Sequence, residues 1–281
     1  MFQINWKLKS FFYKVFGLLE LKSTFYLIQK YITHRSKVKI DNIDKSWTLH
    51  LNSIKENNLN NLLELGAGKS LEQNIYFSYA LNNKLDQTVI DINKMLDFEL
   101  FNEASLQISK ILNTKKKKTV KSVIDIRENY NIIYKAPANL ENLIQEKKKF
   151  DICINTTTLE HLTIDDLRYS LKHLKNLIKN KGFISSAIDY SDHYSHTDKK
   201  ITSLNFLKFS NAEWKKYNNK YLFQNRLRHY DYKRLFEENG FVISKVTTGP
   251  KEFPKVKIAK EFDEKNKETF ITWGYFLIQN N

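Results

Sequence analysis

The segment Asn60-Asn-Leu-Leu-Glu-Leu-Gly-Ala-Gly-Lys-Ser70 constrains this chain more than any other. Leu62, Leu63 and Leu65 surround one acid, Glu64, and two glycines follow with a single residue between them. A helix-compatible run begins at Ser70. The pattern predicts a buried parallel strand, a tight glycine turn and a helix N-terminus. Glycine suits that turn because it reaches backbone angles closed to other residues and lets a ligand approach the main chain.

Three ligand classes use such a turn. The letters Gly68-Lys-Ser70 invite comparison with a phosphate-binding loop, but that loop needs a glycine five positions before Gly68, where Leu63 stands. A dinucleotide fingerprint needs a third glycine three residues after the second, and Leu71 occupies that position. What remains is hydrophobic-Glu-x-Gly-x-Gly.

The chain after Ser70 alternates helices and strands. A helix through about Leu81 leads to Thr88-Val-Ile-Asp91, a second strand ending in an acid. Such an acid can accept hydrogen bonds from both ribose hydroxyls of an adenosine cofactor. Helical stretches near Lys94 to Ile111 and Val120 to Tyr130 precede a third strand, Asn131 to Lys135. Asn139, just beyond it, is the candidate reader of an adenine amino edge; an Asn there can also simply stabilise a turn. Phe150-Asp-Ile-Cys-Ile is too short and too β-branched for a helix, so it predicts a buried fourth strand, with polar Asn155 to Thr158 at its carboxyl end. Leu167 to Ile178 is an amphipathic helix, Lys181 to Ile188 a fifth strand, and Tyr230 to Asn239 a helix ended by Gly240. Phe241 to Val246 and Phe270 to Ile278 make a closing antiparallel pair.

The glycine turn, Asp91 and the fourth-strand run through Leu159-Glu160-His161 occur in that order, and together they resemble the class I S-adenosylmethionine-dependent methyltransferases. The resemblance implies a Rossmann-like α/β fold: seven strands, mostly parallel, helices on both faces and the antiparallel pair last. It implies S-adenosylmethionine as cofactor and S-adenosylhomocysteine as product. Glu64, Gly66, Ala67, Gly68, Asp91, Ile92, Asn139, Asn155 and Thr156 are the positions expected to hold it. Ser70 departs from the pattern, standing where many members have a third glycine.

The connection after the fifth strand, Asp189 to Asp198, carries three acids and two histidines in ten residues, at the sheet end where an acceptor should lie. Methyl transfer to a hydroxyl needs alignment and a proton acceptor, and histidine suits that role because its unperturbed pKa is about 6.5. The expected base is His193, with His196 second and Asp189 or Asp192 as orienting partners. A polar loop capped by its own side chains is the plainer alternative. His193, His196 and Asp198, joined by Glu160 or Asp192, offer a weak metal pattern, and no metal is assigned from it. Glu160 and His161 are expected to line the pocket or brace its loops.

Residues from about 190 to 228 form an insert with Tyr190, Trp214, Asn225, Arg226 and Arg228 as substrate-binding candidates. Aromatics, amides and arginines in one lobe suit sugar faces and anionic groups. The segment from Asp192 through Asn225-Arg-Leu-Arg228 resembles methyltransferases of bacterial polysaccharide biosynthesis. That resemblance implies O-methylation of a sugar hydroxyl on a glycan or a nucleotide- or lipid-linked precursor. Methylation of a lipid or small metabolite at a membrane surface, and a non-catalytic cofactor-binding protein, stay open.

Residues 1–59 precede the first strand and are expected to form a helical cap on a methyltransferase domain spanning 60–281. Phe12, Val15, Phe16, Leu19, Phe25, Leu27 and Ile28 recur at helical spacing among lysines. The cap either covers part of the active site or lies on a membrane surface as a basic amphipathic helix. Trp47 and His50 fall on a helix leading into the first strand and are expected to pack. With 281 residues, three prolines and seven glycines, the chain fits one large α/β domain with additions. A single cysteine, Cys153, excludes an internal disulfide and fits a reducing compartment. No signal peptide or membrane-spanning window is visible, which predicts a cytoplasmic protein, peripheral at the inner membrane face at most. The net charge of +15 admits anionic partners, yet no zinc spacing, helix-turn-helix or RNA-binding motif accompanies it, so no specific nucleic-acid partner is expected. The sequence leaves the oligomeric state open.

Overall fold

The computed structural model describes residues 4–19, 37–66, 68–219, 221–253 and 257–281. Ala67, Phe25, Leu27 and Ile28 lie outside these. The chain forms α1 (Trp6–Leu18), α2 (Lys45–Glu56), β1 (Asn61–Leu65), α3 (Glu72–Ala80), β2 (Asp86–Ile90), α4 (Phe98–Ile111), α5 (Val123–Tyr130) and β3 (Ile132–Lys135). It continues with α6 (Leu140–Gln145), β4 (Phe150–Thr156), a 3₁₀ turn at Leu159–His161, α7 (Ile164–Leu177) and β5 (Ile178–Asp189). After the insert come α8 (His229–Glu238), β6 (Phe241–Thr248) and β7 (Trp273–Asn280).

The strands form one sheet in the order β3-β2-β1-β4-β5-β7-β6. All neighbours are parallel except β7, which runs antiparallel to both β5 and β6. β1 lies at the centre, buried on both faces, and this is why it reads as a nearly continuous apolar run. Leu62 packs with α2, α3, α4 and α5 on one face, while Leu63 and Leu65 pack with α6, α7 and α8 on the other. The order reverses between β1 and β4, so a crevice opens at their carboxyl ends, the usual place for a ligand in an open α/β sheet.

Some boundaries differ from the sequence expectation for local reasons. α4 begins at Phe98, not Lys94, because the Asp97 carboxylate accepts from Glu99 N and Leu100 N and starts the helix there. β5 begins three residues early, at Ile178, which pairs with Phe150 beyond a register shift.

A third apolar cluster fills the insert. It joins Tyr194, Leu204, Phe206, Leu207 and Trp214 to Trp6 of α1 and to Ile258 and Phe270 of the β6–β7 connection. The insert therefore extends beyond 190–228 in space. The segment before β1 is also divided: α1 docks on the insert, with Trp6 N donating to Asp198 Oδ2 at 2.9 Å, whereas α2 packs on the sheet. Among the described residues before β1, α1 and α2 therefore pack on different parts of the domain. The face α1 docks is Trp6, Lys9 and Ser10; Phe11 and Phe12 are exposed. No helix among the described residues is long and apolar enough to cross a membrane.

Candidate active site

The crevice begins at the glycine turn. Gly66 has φ +76° and Gly68 φ +72°, the left-handed region that favours glycine. A Cβ on Gly66 would lie 2.9 Å from Thr158 Oγ1, so the turn after β4 presses directly on the turn after β1. A Cβ on Gly68 would meet nothing within 4 Å, which leaves the main chain open to a ligand. Leu71, where a dinucleotide fold has its third glycine, adopts φ +50° and is buried at the start of α3.

Glu64 faces the opposite side of β1 from Leu63. Asn74 Nδ2 donates to its Oε2 at 2.5 Å. Burial pushes its pKa up to about 7, against the opposing pull of the Asn74 amide. Asn155 is fully buried and its Nδ2 donates to Ser186 Oγ at 2.9 Å. Thr156 Oγ1 donates to Gln73 Oε1 at 2.8 Å. Glu64, Asn155 and Thr156 thus sit on the floor of the crevice, held by α3 and β5. Thr158, the end of the polar run after β4, completes that floor with Gln73 and Asn74, which were not anticipated; their only signal was two amides in the first turn after the glycines.

Beyond the ends of β2 and β3 lies a cavity of about 200 Å³ lined by Ile92, Pro137, Ala138, Asn139 and Asn142. Ala138 N donates to Asp91 O at 2.9 Å, which ties the two strand ends together. Asp91 is buried, and its Oδ1 accepts from Asn93 N at 2.8 Å. Asn139 caps α6, its Oδ1 accepting from Asn142 N at 3.1 Å. Its acceptor is therefore engaged in the cap. The second lone pair of Oδ1 and the Nδ2 donor are what it offers the cavity, one suited to an amino edge and the other to a ring nitrogen.

The loop after β5 brings the histidines to the same edge. Asp189 Oδ2 lies 3.3 Å from His193 Nε2 and 3.6 Å from His196 Nε2. Asp189 Oδ1 accepts from Ser191 N at 2.8 Å. Burial opposes ionisation of Asp189, but His193 and Ser191 outweigh it and hold the carboxyl below its usual range. His196 also contacts Ser191 Oγ at 3.1 Å, and burial lowers its pKa. Glu160 and His161 adjoin: Glu160 Oε1 accepts from Asp189 N, and His161 Nδ1 donates to Phe223 O at 2.8 Å. Burial pushes Glu160 well above the usual carboxylate range.

Several candidates turn inward instead. Asp192 is fully buried; its Oδ1 accepts from Tyr194 N and its Oδ2 from Asn205 Nδ2, so of the two acids it is Asp189 that faces the histidines. Asp198 accepts from Trp6 N and Lys200 N, away from any metal grouping with His193. Tyr190 is buried, its hydroxyl 3.1 Å from His229 Nδ1. Arg228 is fully buried and gives Nε to Thr269 O, Nη1 to Tyr190 O and Nη2 to Ile271 O. Asn225 Nδ2 donates to Leu159 O and Leu162 O. Arg226 donates to Phe206 O, Phe209 O and Asn211 Oδ1, and Trp214 packs in the insert core. Arg226, Arg228 and Asn225 thus satisfy carbonyls of the insert, of the turn after β4 and of the segment before β7, because irregular backbone has few partners of its own. Trp214, Asn225 and Arg226 nevertheless wall a cleft of about 470 Å³, together with Asn211, Phe223 and Gln224. Gln224 Oε1 accepts from His193 N, so the cleft opens beside the histidine cluster.

The strand order, the antiparallel β7 and the crevice after β1 and β4 define a Rossmann-like fold of the class I methyltransferase type. No family model matches the chain, and no curated protein matches it in sequence. Among solved structures it is similar to a magnesium protoporphyrin IX methyltransferase from Synechocystis with bound S-adenosylhomocysteine, at 13% identity over 86% of this chain and 90% of that one, TM-score 0.47. It is similar to an S-adenosylmethionine-dependent methyltransferase from Clostridium acetobutylicum, at 14% identity over 92% and 98%, TM-score 0.46. The CurJ carbon methyltransferase aligns at 18% identity over 78% of this chain, TM-score 0.41, and this chain spans about half the length of that one, 48%.

Proposed function

We propose that this chain is an S-adenosylmethionine-dependent methyltransferase that methylates a sugar hydroxyl, on a glycan or on a nucleotide- or lipid-linked precursor. The observation that carries the cofactor is the convergence of Ile92, Pro137 and Asn139 on one cavity beside Asp91, one strand from the open glycine turn. Ile92 and Pro137 offer apolar surface to an adenine ring, and Asn139 Nδ2 offers it a donor. Asp91 Oδ2, which has no hydrogen bond among the described residues, is free for a ribose hydroxyl. The bound cofactor supplies an electrophilic methyl on sulfur. With it bound, an imidazole oriented by Asp189 would take the proton of the acceptor hydroxyl as that oxygen becomes the nucleophile.

The amide- and aromatic-walled cleft beside His193 supports a polyhydroxylated acceptor. Thermal unfolding with S-adenosylhomocysteine, against NAD and ATP, tests the cofactor. At 100 times its dissociation constant the ligand should stabilise the fold by about 2.7 kcal/mol, a rise of several degrees. A rise with NAD or ATP and none with S-adenosylhomocysteine would sink the reading.

A further inference from the structure

The turn after β4 and the loop after β5 bring together three metal-ligating side chains. One donor atom from each of Glu160, His161 and His193 lies within 4.8 Å of the others. Glu160 is 2% exposed; its Oε1 accepts from Asp189 N, but its Oε2 is buried without a hydrogen-bond partner. His193 Nε2 is buried nearby, 3.3 Å from Asp189 Oδ2. An unpartnered buried carboxylate oxygen is rare in folded proteins, and one beside two imidazoles points to something between them. His161 supplies a second indication. Its Nδ1 is committed to Phe223 O at 2.8 Å, which fixes the tautomer and leaves the Nε2 lone pair free. Metal-binding imidazoles are characteristically braced through the other ring nitrogen in this way.

We propose that Glu160, His161 and His193 bind one divalent first-row transition-metal ion, with Asp189 Oδ2 the next oxygen in reach. Two imidazoles and one carboxylate suit zinc, iron(II), cobalt or manganese, whereas magnesium and calcium take oxygen ligands. Bonds of about 2.1 Å in a tetrahedral site put ligand atoms roughly 3.4 Å apart, so modest side-chain torsions close the present spacing. His161 is solvent-exposed, which gives the ion an entry path. In the bound form His193 is a ligand, and the imidazole left to Asp189 is His196. The ion would act as a Lewis acid, making an acceptor hydroxyl bound to it more acidic. The proposal goes beyond the methyltransferase reading, since occupancy needs neither cofactor nor acceptor.

The test is titration of the chelator-treated full chain with Co²⁺ alone, followed by visible absorption and equilibrium dialysis. One ion per chain is expected, with d–d bands of a four- or five-coordinate nitrogen–oxygen site, displaced by Zn²⁺ and not by excess Mg²⁺. His161→Ala and the isosteric Glu160→Gln should each weaken binding by more than about 100-fold, beyond the 10–100-fold typical of an outer-shell partner. His173→Ala, on the exposed side of α7, should leave it unchanged. Circular dichroism establishes that each variant is folded, and S-adenosylhomocysteine binding is measured separately, so the two proposals fail independently. No saturable Co²⁺ binding, or unchanged affinity in both ligand variants, overturns the site.

Discussion

His50 Nε2 lies 3.1 Å from Thr156 Oγ1, joining helix α2 to the carboxyl end of β4 inside the protein. The contact belongs to a buried chain. Ser53 Oγ is 2.8 Å from Tyr275 OH, which is 2.7 Å from Ser185 Oγ, and His50 Nδ1 is 2.6 Å from Ser185 Oγ. Because Thr156 donates onward to Gln73, it accepts from His50 Nε2, and Nδ1 of a neutral ring then accepts from Ser185. In that arrangement every hydroxyl points one way, and the arrangement requires a neutral imidazole.

That requirement predicts acid sensitivity. Burial lowers the His50 pKa to about 3. Between about 6.5 and 3 the unfolded chain binds a proton that the folded one refuses, so stability falls as pH falls, by about 1.4 kcal/mol per unit from this residue. His50→Gln removes that contribution. Urea unfolding from pH 7 to pH 4 should show the wild type losing stability faster than the variant. A difference between them that does not change with pH would contradict the neutral assignment.

Glu64 has the opposite sign. Its folded pKa, raised to about 7, lies above the unfolded value, so its penalty is absent below about 4.5 and grows as pH rises to about 7. Glu64→Gln should therefore raise the melting temperature at pH 8 and change it little at pH 4.5. A cationic ligand group at this carboxylate would favour its charged form. The variant should then also bind S-adenosylmethionine more weakly at pH 8 if the methionyl ammonium lies there. Equal melting temperatures at pH 8 would show that the carboxylate is solvated.

The contact between Gly66 and Thr158 separates backbone strain from crowding. Gly66→Ala meets both a positive φ, costing roughly 1–2 kcal/mol, and Thr158 Oγ1 at 2.9 Å. Thr158→Ala removes the crowding together with the Oγ1 hydrogen bonds to Leu65 O and Thr156 O. The double variant should recover part of the loss and retain the φ cost, read by urea unfolding. Strict additivity of the two single changes would mean that the turns are not in contact.

The sheet was legible because its strands carry their burial in local pattern: Leu62 and Leu63 face opposite cores, so β1 is apolar on both faces apart from Glu64. The crevice was legible for a related reason, since chain order alone puts Gly66, Asp91, Asn155 and Asp189 at the same sheet edge. Side-chain direction in the insert was not. Asp189 and Asp192 are three residues apart and chemically alike, yet one faces the histidines and the other is consumed by Tyr194 N and Asn205. Trp6 meets Tyr194 across most of the chain at a ring separation of 5.7 Å, a contact that no local period encodes. Glu160 and His161 were visible as a motif, but their convergence with His193 depends on β4 pairing with β5.

Arg228 gives the sharpest division between a binding residue and a structural one. Its guanidinium donates to three carbonyls, from β5's exit at Tyr190 and from Thr269 and Ile271 ahead of β7, while burial lowers its pKa to about 10. Charge-assisted hydrogen bonds contribute about 1.5–3 kcal/mol each, so Arg228→Met should cost at least about 4.5 kcal/mol and leave three buried carbonyls unpaired. Arg228→Lys keeps the charge but not the planar fork, and it should lose most of that stability as well. Urea unfolding of both variants measures the cost. If Arg228→Met folds with wild-type stability and instead raises KM for a phosphorylated acceptor, the guanidinium leaves the interior to bind phosphate, and its place as a tie between β5 and β7 is wrong.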